Sequence, residues 1–296
     1  MNYFQQAIFR RTGILHIIAS LLMITICSCS SDDSYTPPTP ETQVKLAAST
    51  TYGDYLVDKD GRTLYFFAND SATVNTCFSA GCKALWPVFF AGINAQTIGN
   101  GLNINDFDTI GTGASMQLAY KGRPLYYYAP LSNGTNVPET AGQIGGEGVG
   151  NNWFVAKPDY TITLTNAQLV GQDGNKYDST LVVITGNSKT RYLTDARGIT
   201  LYAFTNDKLN TSNCVEGCAA IWPVYETEKI VVPSYLEKSS FSVITYPSGK
   251  KQLTYNGWPL YYYASDNMTM GLNKGVSVNH PKWPVVVRSR AAAPAP

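Results

Sequence analysis

Two passages of this chain are written twice. Tyr55–Asp70 (YLVDKDGRTLYFFAND) returns as Tyr192–Asp207 (YLTDARGITLYAFTND) with 10 of 16 positions identical. Gln117–Ala129 (QLAYKGRPLYYYA) returns as Gln252–Ala264 (QLTYNGWPLYYYA) with 10 of 13 identical. Between them each copy carries a cysteine pair and a Trp-Pro step: Cys77, Cys82, Trp86 and Pro87, then Cys214, Cys218, Trp222 and Pro223. A duplication this long restricts the chain to two tandem versions of one supersecondary unit. A finer period lies inside it. Gly61–Phe67, Gly122–Tyr128, Gly198–Phe204 and Gly257–Tyr263 share one Gly-x-[TP]-Leu-Tyr-x-aromatic pattern, so each copy holds two related segments.

Each segment reads as a β-hairpin. Runs rich in aromatic and β-branched residues flank Asp60-Gly61, Lys121-Gly122, Arg197-Gly198 and Asn256-Gly257, and glycine supplies the positive φ that such turns need. Side chains alternate along a strand, so the tyrosine and the following aromatic share one face and the leucine takes the other. A sheet with both faces apolar has to be covered on both. The expected fold is therefore mainly β: two tandem units of paired hairpins packed with pseudo-two-fold symmetry, with a four-bladed, propeller-like closure as one solution. Helix is expected only as a short turn after each cysteine pair, stopped by Trp-Pro. Val44–Ala48 and part of 161–185 are the expected first strands of the two units.

The ends read differently. Arg10 and Arg11 precede an apolar run from Gly13 to Cys27 that is too short to span a bilayer. Ile26-Cys27-Ser28-Cys29 follows the spacing of a bacterial lipobox, which makes residues 1–28 a signal peptide and Cys29 the lipidated residue. Residues 29–43 are polar and proline-rich, a flexible tether. Unit 1 is expected over 44–158, a linker and first strand over 159–187, unit 2 over 188–287, and a disordered tail over 288–296. Basic and acidic residues number 22 and 21, with no basic stretch interleaved with aromatics, so nucleic acid is not an expected partner. The lipid anchor makes the membrane one.

Few residues suit catalysis. Beyond the signal peptide only His280 remains, which argues against a histidine-based triad. In an oxidising compartment the default for Cys77, Cys82, Cys214 and Cys218 is one local disulfide per unit. A four-cysteine zinc site and a redox-active pair are the alternatives, although neither pair has C-x-x-C spacing or an activating cation within it. Asp58, Asp70, Asp195 and Asp207 occur in both copies. They read as caps beside turns, or as hydrolase carboxylates if two of them meet in a cleft. Tyr126, Tyr128, Tyr261, Tyr263, Trp86 and Trp222 are candidates for stacking on a glycan or a planar ligand, with core packing as the plain alternative.

Tyr65-x-Phe67-x-x-Asp70 and Tyr202-x-Phe204-x-x-Asp207 both fit a Y-x-[FWY]-x-x-D signature. With the Cys…Cys…Trp-Pro and YxGxPLYYY blocks that follow, the chain resembles the bacterial predicted-lipoprotein family with tandem secreted repeats of unknown function, over roughly residues 50–156 and 188–287. The resemblance implies an exported lipoprotein and transfers no catalytic residue. The expected role is an envelope or surface lipoprotein, with outer-membrane lipid anchoring and no catalytic activity. It would bind a protein or glycan partner through aromatic-rich surfaces and need no cofactor or metal. Redox or metal handling by the cysteine pairs is the runner-up.

Overall fold

The computed structural model describes residues 40–71 and 74–296. The expected signal peptide and lipidation site Cys29, with most of the expected tether, lie outside the described residues. The fold is mainly β, assembled from small antiparallel sheets of two to four strands. These sheets do not close into a barrel or a four-bladed propeller among the described residues.

The repeat appears strand by strand. Val44–Ser49 pairs with Gly53–Asp58, setting Val44 opposite Asp58. In the second copy Ile162–Val170 pairs with Lys189–Asp195, setting Ile162 opposite Asp195. Farther on, Phe107–Ile110, Gln117–Tyr120 and Arg123–Pro124 form a three-stranded sheet, matched by Phe241–Thr245, Lys251–Tyr255 and Trp258–Pro259. The turns Lys121-Gly122 and Asn256-Gly257 have both central φ angles positive, at 50° and 78° and at 47° and 78°. That is the geometry that reverses a twisted two-residue hairpin with least strain.

The hairpins differ from a plain ladder in one respect. After Pro124 and Pro259 the chain leaves its own hairpin and pairs with the first segment of the same copy. Tyr65 and Tyr126 exchange both backbone hydrogen bonds at 2.9 Å, and Tyr202 and Tyr261 do so at 2.9 and 3.0 Å. The two related segments of each copy are thus stitched together at their tyrosines.

This crossing sorts the side chains as the alternation predicts. Leu56, Leu64, Leu118 and Leu125 share one cluster in the first copy. Leu193, Leu201, Leu253 and Leu260 share another in the second. The tyrosine faces form two further clusters, around Trp86 and Trp153 and around Trp222 and Trp283. Phe66 and Phe154 of the first copy, with Tyr160 of the linker, pack into the leucine cluster of the second, so that cluster joins the two copies. Helices Ala80–Leu85 and Gly217–Ile221 stop at the Trp-Pro steps. No helix among the described residues is long and apolar enough to cross a membrane.

The tail 288–296, expected to be disordered, packs instead. The Trp258 indole N–H donates to the Ala291 carbonyl at 2.8 Å, and the Asn256 side chain donates to that of Arg290 at 2.8 Å. Ala293 is buried and donates its N–H to the Asn256 carbonyl at 2.9 Å. An alanine- and proline-rich end has no core of its own. Here its carbonyls supply acceptors that a buried indole and turn amide require.

Candidate functional site

The residues singled out in the sequence meet in two equivalent interior networks. In the first copy Phe67, Trp153 and Trp86 form a stack, with ring centroids 4.0 and 3.8 Å apart. Tyr126 meets Trp153 edge-on at 5.0 Å, and Tyr65 meets Trp86 edge-on at 5.6 Å. In the second copy Phe204, Trp283 and Trp222 stack at 4.3 and 3.7 Å, flanked in the same way by Tyr261 and Tyr202. Offset and edge-to-face contacts of this kind add to the apolar burial itself.

Four tyrosines of the two YYY triplets donate to aspartates. The Tyr126 hydroxyl donates to Asp70 at 2.7 Å and that of Tyr127 to Asp58 at 2.9 Å. The hydroxyls of Tyr261 and Tyr262 donate to Asp207 and Asp195 at 2.8 and 2.9 Å. Two consecutive tyrosines point to opposite faces of the strand, so one YYY triplet reaches two aspartates. Each aspartate also caps a turn. Asp58 accepts the N–H of Asp60 and Arg62, and Asp195 those of Arg197 and Ile199. Asp70 accepts from Thr76, and Asp207 from Asn213. Burial raises the carboxyls of Asp70 and Asp207 to about 6, opposed by these same hydrogen bonds. The four aspartates are buried in the core and do not form a carboxylate pair open to substrate.

The partners of Tyr65 and Tyr202 were not visible in the repeat pattern. Tyr65 donates to Glu139 at 2.6 Å and Tyr202 to Asp266 at 2.6 Å. Each hydroxyl accepts an N–H from a loop glycine, Gly146 or Gly275, at 3.2 Å. A Cβ on either glycine would lie 2.8 Å from the tyrosine ring, which explains the residue choice. The sequence signal for this arrangement is a carboxylate a few residues ahead of a loop glycine, at a spacing that differs between the copies.

The proposed aromatic binding surface is corrected by this arrangement. Trp86, Trp222, Tyr126, Tyr261 and Tyr263 are buried, and Tyr128 is half-buried against Trp86 at 4.6 Å. Their faces are taken by one another and offer no platform for a ligand. The cysteines pair as Cys77–Cys82 and Cys214–Cys218. Cys77 and Cys214 are buried, and all four sulfurs are engaged within their own copy. His280 contacts the Leu181 carbonyl at 2.7 Å, beside Tyr177.

Open polar groups gather elsewhere. A cleft of about 660 Å³ lies on the second copy, lined by Lys189, Thr190, Arg191, Tyr235, Glu237 and Arg288 among others. The guanidiniums of Arg191 and Arg288 lie 5.0 and 4.6 Å from the centroid of the Tyr235 ring. Burial would raise the Tyr235 phenol, but hydrogen bonding and charge from the two arginines outweigh it and lower its pKa. None of these residues belongs to the duplicated motifs, which is why the repeat analysis passed over them.

No curated protein and no solved structure matches the chain. The family model described as a secreted repeat of unknown function matches residues 46–89, 186–225 and 242–287. The segment from Phe107 to Val155 lies outside those matches. It nevertheless has the strand register of 241–285 and the same tyrosine-to-aspartate bonds. Three segments of this chain thus match the model of a secreted repeat of unknown function.

Proposed function

We propose that this chain is an exported envelope lipoprotein, anchored in the outer membrane through lipid on Cys29, that serves as a non-enzymatic binding module. Its two copies act as a disulfide-braced scaffold of pseudo-two-fold design. The lipobox-like Ile26–Cys29, the polar tether and the description of the family support export and anchoring. One observation carries the non-enzymatic reading. The carboxylates both copies share are buried and bonded to tyrosines, while the polar cleft around Tyr235 is open to solvent. The binding surface is therefore assigned to that cleft rather than to the aromatic stacks. A redox or metal-handling role has less support, because Cys77 and Cys214 are buried and both pairs are bonded.

The test is intact mass spectrometry of the chain taken from bacterial membranes, beside a Cys29→Ser variant. A lipid adduct on residue 29 and two disulfides are expected, with the variant released from the outer-membrane fraction. An unlipidated wild-type chain in the soluble fraction would overturn the anchor. Four free thiols would reopen the cysteine alternative.

A further inference from the structure

The cleft around Tyr235 has three properties that the fold does not require. First, it is built on one copy only. In the first copy the positions equivalent to Lys189, Arg191, Tyr235 and Arg288 are Tyr52, Asp54, Gly101 and Pro158. The same scaffold therefore stands without these side chains. Second, its charge is one-sided: Lys189, Arg191 and Arg288 face a single carboxylate, Glu237. Third, its cations are held in place: the guanidiniums of Arg191 and Arg288 both lie against the Tyr235 ring, and Arg191 Nη2 donates to Asn152 at 2.7 Å.

These features fit an oxyanion on a larger, hydroxyl-bearing ligand. Guanidiniums suit planar or tetrahedral oxyanions because their N–H groups form a fixed fork. The cleft is far larger than a single inorganic anion needs, and its remaining lining is dominated by hydroxyl and amide side chains. We propose that the cleft binds an acidic saccharide. Its carboxylate or sulfate would be held by Arg191 and Arg288, and its sugar hydroxyls would reach Lys189, Glu237 and Ser240. This rests on the binding-module reading and specifies its ligand class. The lowered phenol of Tyr235 is consistent with the positive field that would draw such a ligand in.

The experiment is titration calorimetry on the full chain in detergent. The probes are tetragalacturonate, its fully methyl-esterified form, a chondroitin sulfate tetrasaccharide and a short single-stranded oligodeoxynucleotide. The expected result is binding of one or both acidic saccharides and no measurable heat with the neutral ester. Their relative affinity tells carboxylate from sulfate. Arg191→Gln/Arg288→Gln should weaken binding by about tenfold or more. Arg288→Gln alone, at an exposed position, should weaken it with the melting temperature unchanged. Absence of saccharide binding, or binding unaffected by Arg288→Gln, overturns the assignment. Equal binding of the oligodeoxynucleotide would mean an unselective cationic surface and would also overturn it. Equal binding of the neutral ester would likewise overturn the assignment of an acidic ligand. Cys29 lipidation and membrane fractionation are read independently, so failure of the anchored-module reading is distinguishable from failure here.

Discussion

In the first copy Phe67, Trp153 and Trp86 stack at 4.0 and 3.8 Å; in the second Phe204, Trp283 and Trp222 stack at 4.3 and 3.7 Å. The routes to that shared geometry differ. Tyr65 reaches Glu139, well beyond its YYY triplet, whereas Tyr202 reaches Asp266, just after its own. The disulfides close at sequence separations of 5 and 4. Ser79 caps the first helix with its side chain, while Glu216 begins the second at φ 52°. A buried phenol needs an acceptor and a buried ring needs neighbours, but neither requirement specifies the length of chain that supplies them. Loops can diverge as long as they deliver the same atoms.

The largest difference inside the core is at Arg123, whose counterpart is Trp258. Arg123 is 3% exposed, lies over Phe66 at 4.8 Å, and donates to Thr163 and Thr194 of the second copy at 2.8 and 3.2 Å. Its Nε and Nη1 have no partner among the described residues. Burial lowers its pKa to about 10, with Asp195 and Asp70 opposing. The first copy thus sends a cation into the seam where the second places an indole that bonds the tail.

The equivalence of the copies can be attacked at its strongest point. Trp153→Ala and Trp283→Ala should each cost about 3–5 kcal/mol, because each removes the middle ring of a stack. Calorimetry should find the two losses similar. A gap of more than about 2 kcal/mol would mean that one stack carries the fold and the other is accessory.

Acidification should move both copies together. Asp70 and Asp207 titrate at about 6 in the folded chain, against about 3.9 for an unfolded aspartate. Between those values the native state holds more protons. The stability these sites give is full below the unfolded pKa and is lost as pH rises through 6, on the order of 2–3 kcal/mol per site. The melting temperature should therefore rise from pH 7.5 to pH 5, and Asp70→Asn with Asp207→Asn should flatten the rise. A profile that falls over this range would refute buried, raised carboxyls.

Replacing each cysteine pair by serine should cost about 2 kcal/mol, since each disulfide closes a loop of only five or six residues. Urea midpoints of the two double variants should nearly coincide. The smallest effect is expected at the seam. Arg123→Met keeps the stem and removes a charge with two unpaired N–H groups, so stability should change by less than about 1.5 kcal/mol, in either direction. A loss above about 3 kcal/mol would assign the guanidinium itself a part in joining the copies.

Much of the interior was legible beforehand. The duplication, the turn glycines and the tyrosine–leucine alternation indicated paired hairpins with two apolar faces. The aspartates beside turns read as caps. Three expectations missed for separable reasons. Aromatic composition does not say whether a ring faces solvent or another ring, so Trp86 and Tyr126 were candidates for a surface they do not reach. The tail has no pattern of its own, because its partners are Asn256 and Trp258. Closure into blades was excluded because each hairpin is abandoned after Pro124 or Pro259 for a pairing at Tyr65 or Tyr202.

The repeat, the sites of the turns, the side chains that share a strand face and the cysteines close enough to pair can all be read from the residue order. Those are local properties, set by backbone sterics and a two-residue period. Only the folded chain shows that Glu139 and Asp266 answer equivalent tyrosines, Tyr65 and Tyr202, that Arg123 reaches across to the second copy, and that Arg191, Tyr235 and Arg288 meet in one cleft. Each joins residues far apart in the chain, and their meeting depends on how loops of unequal length return to a shared core.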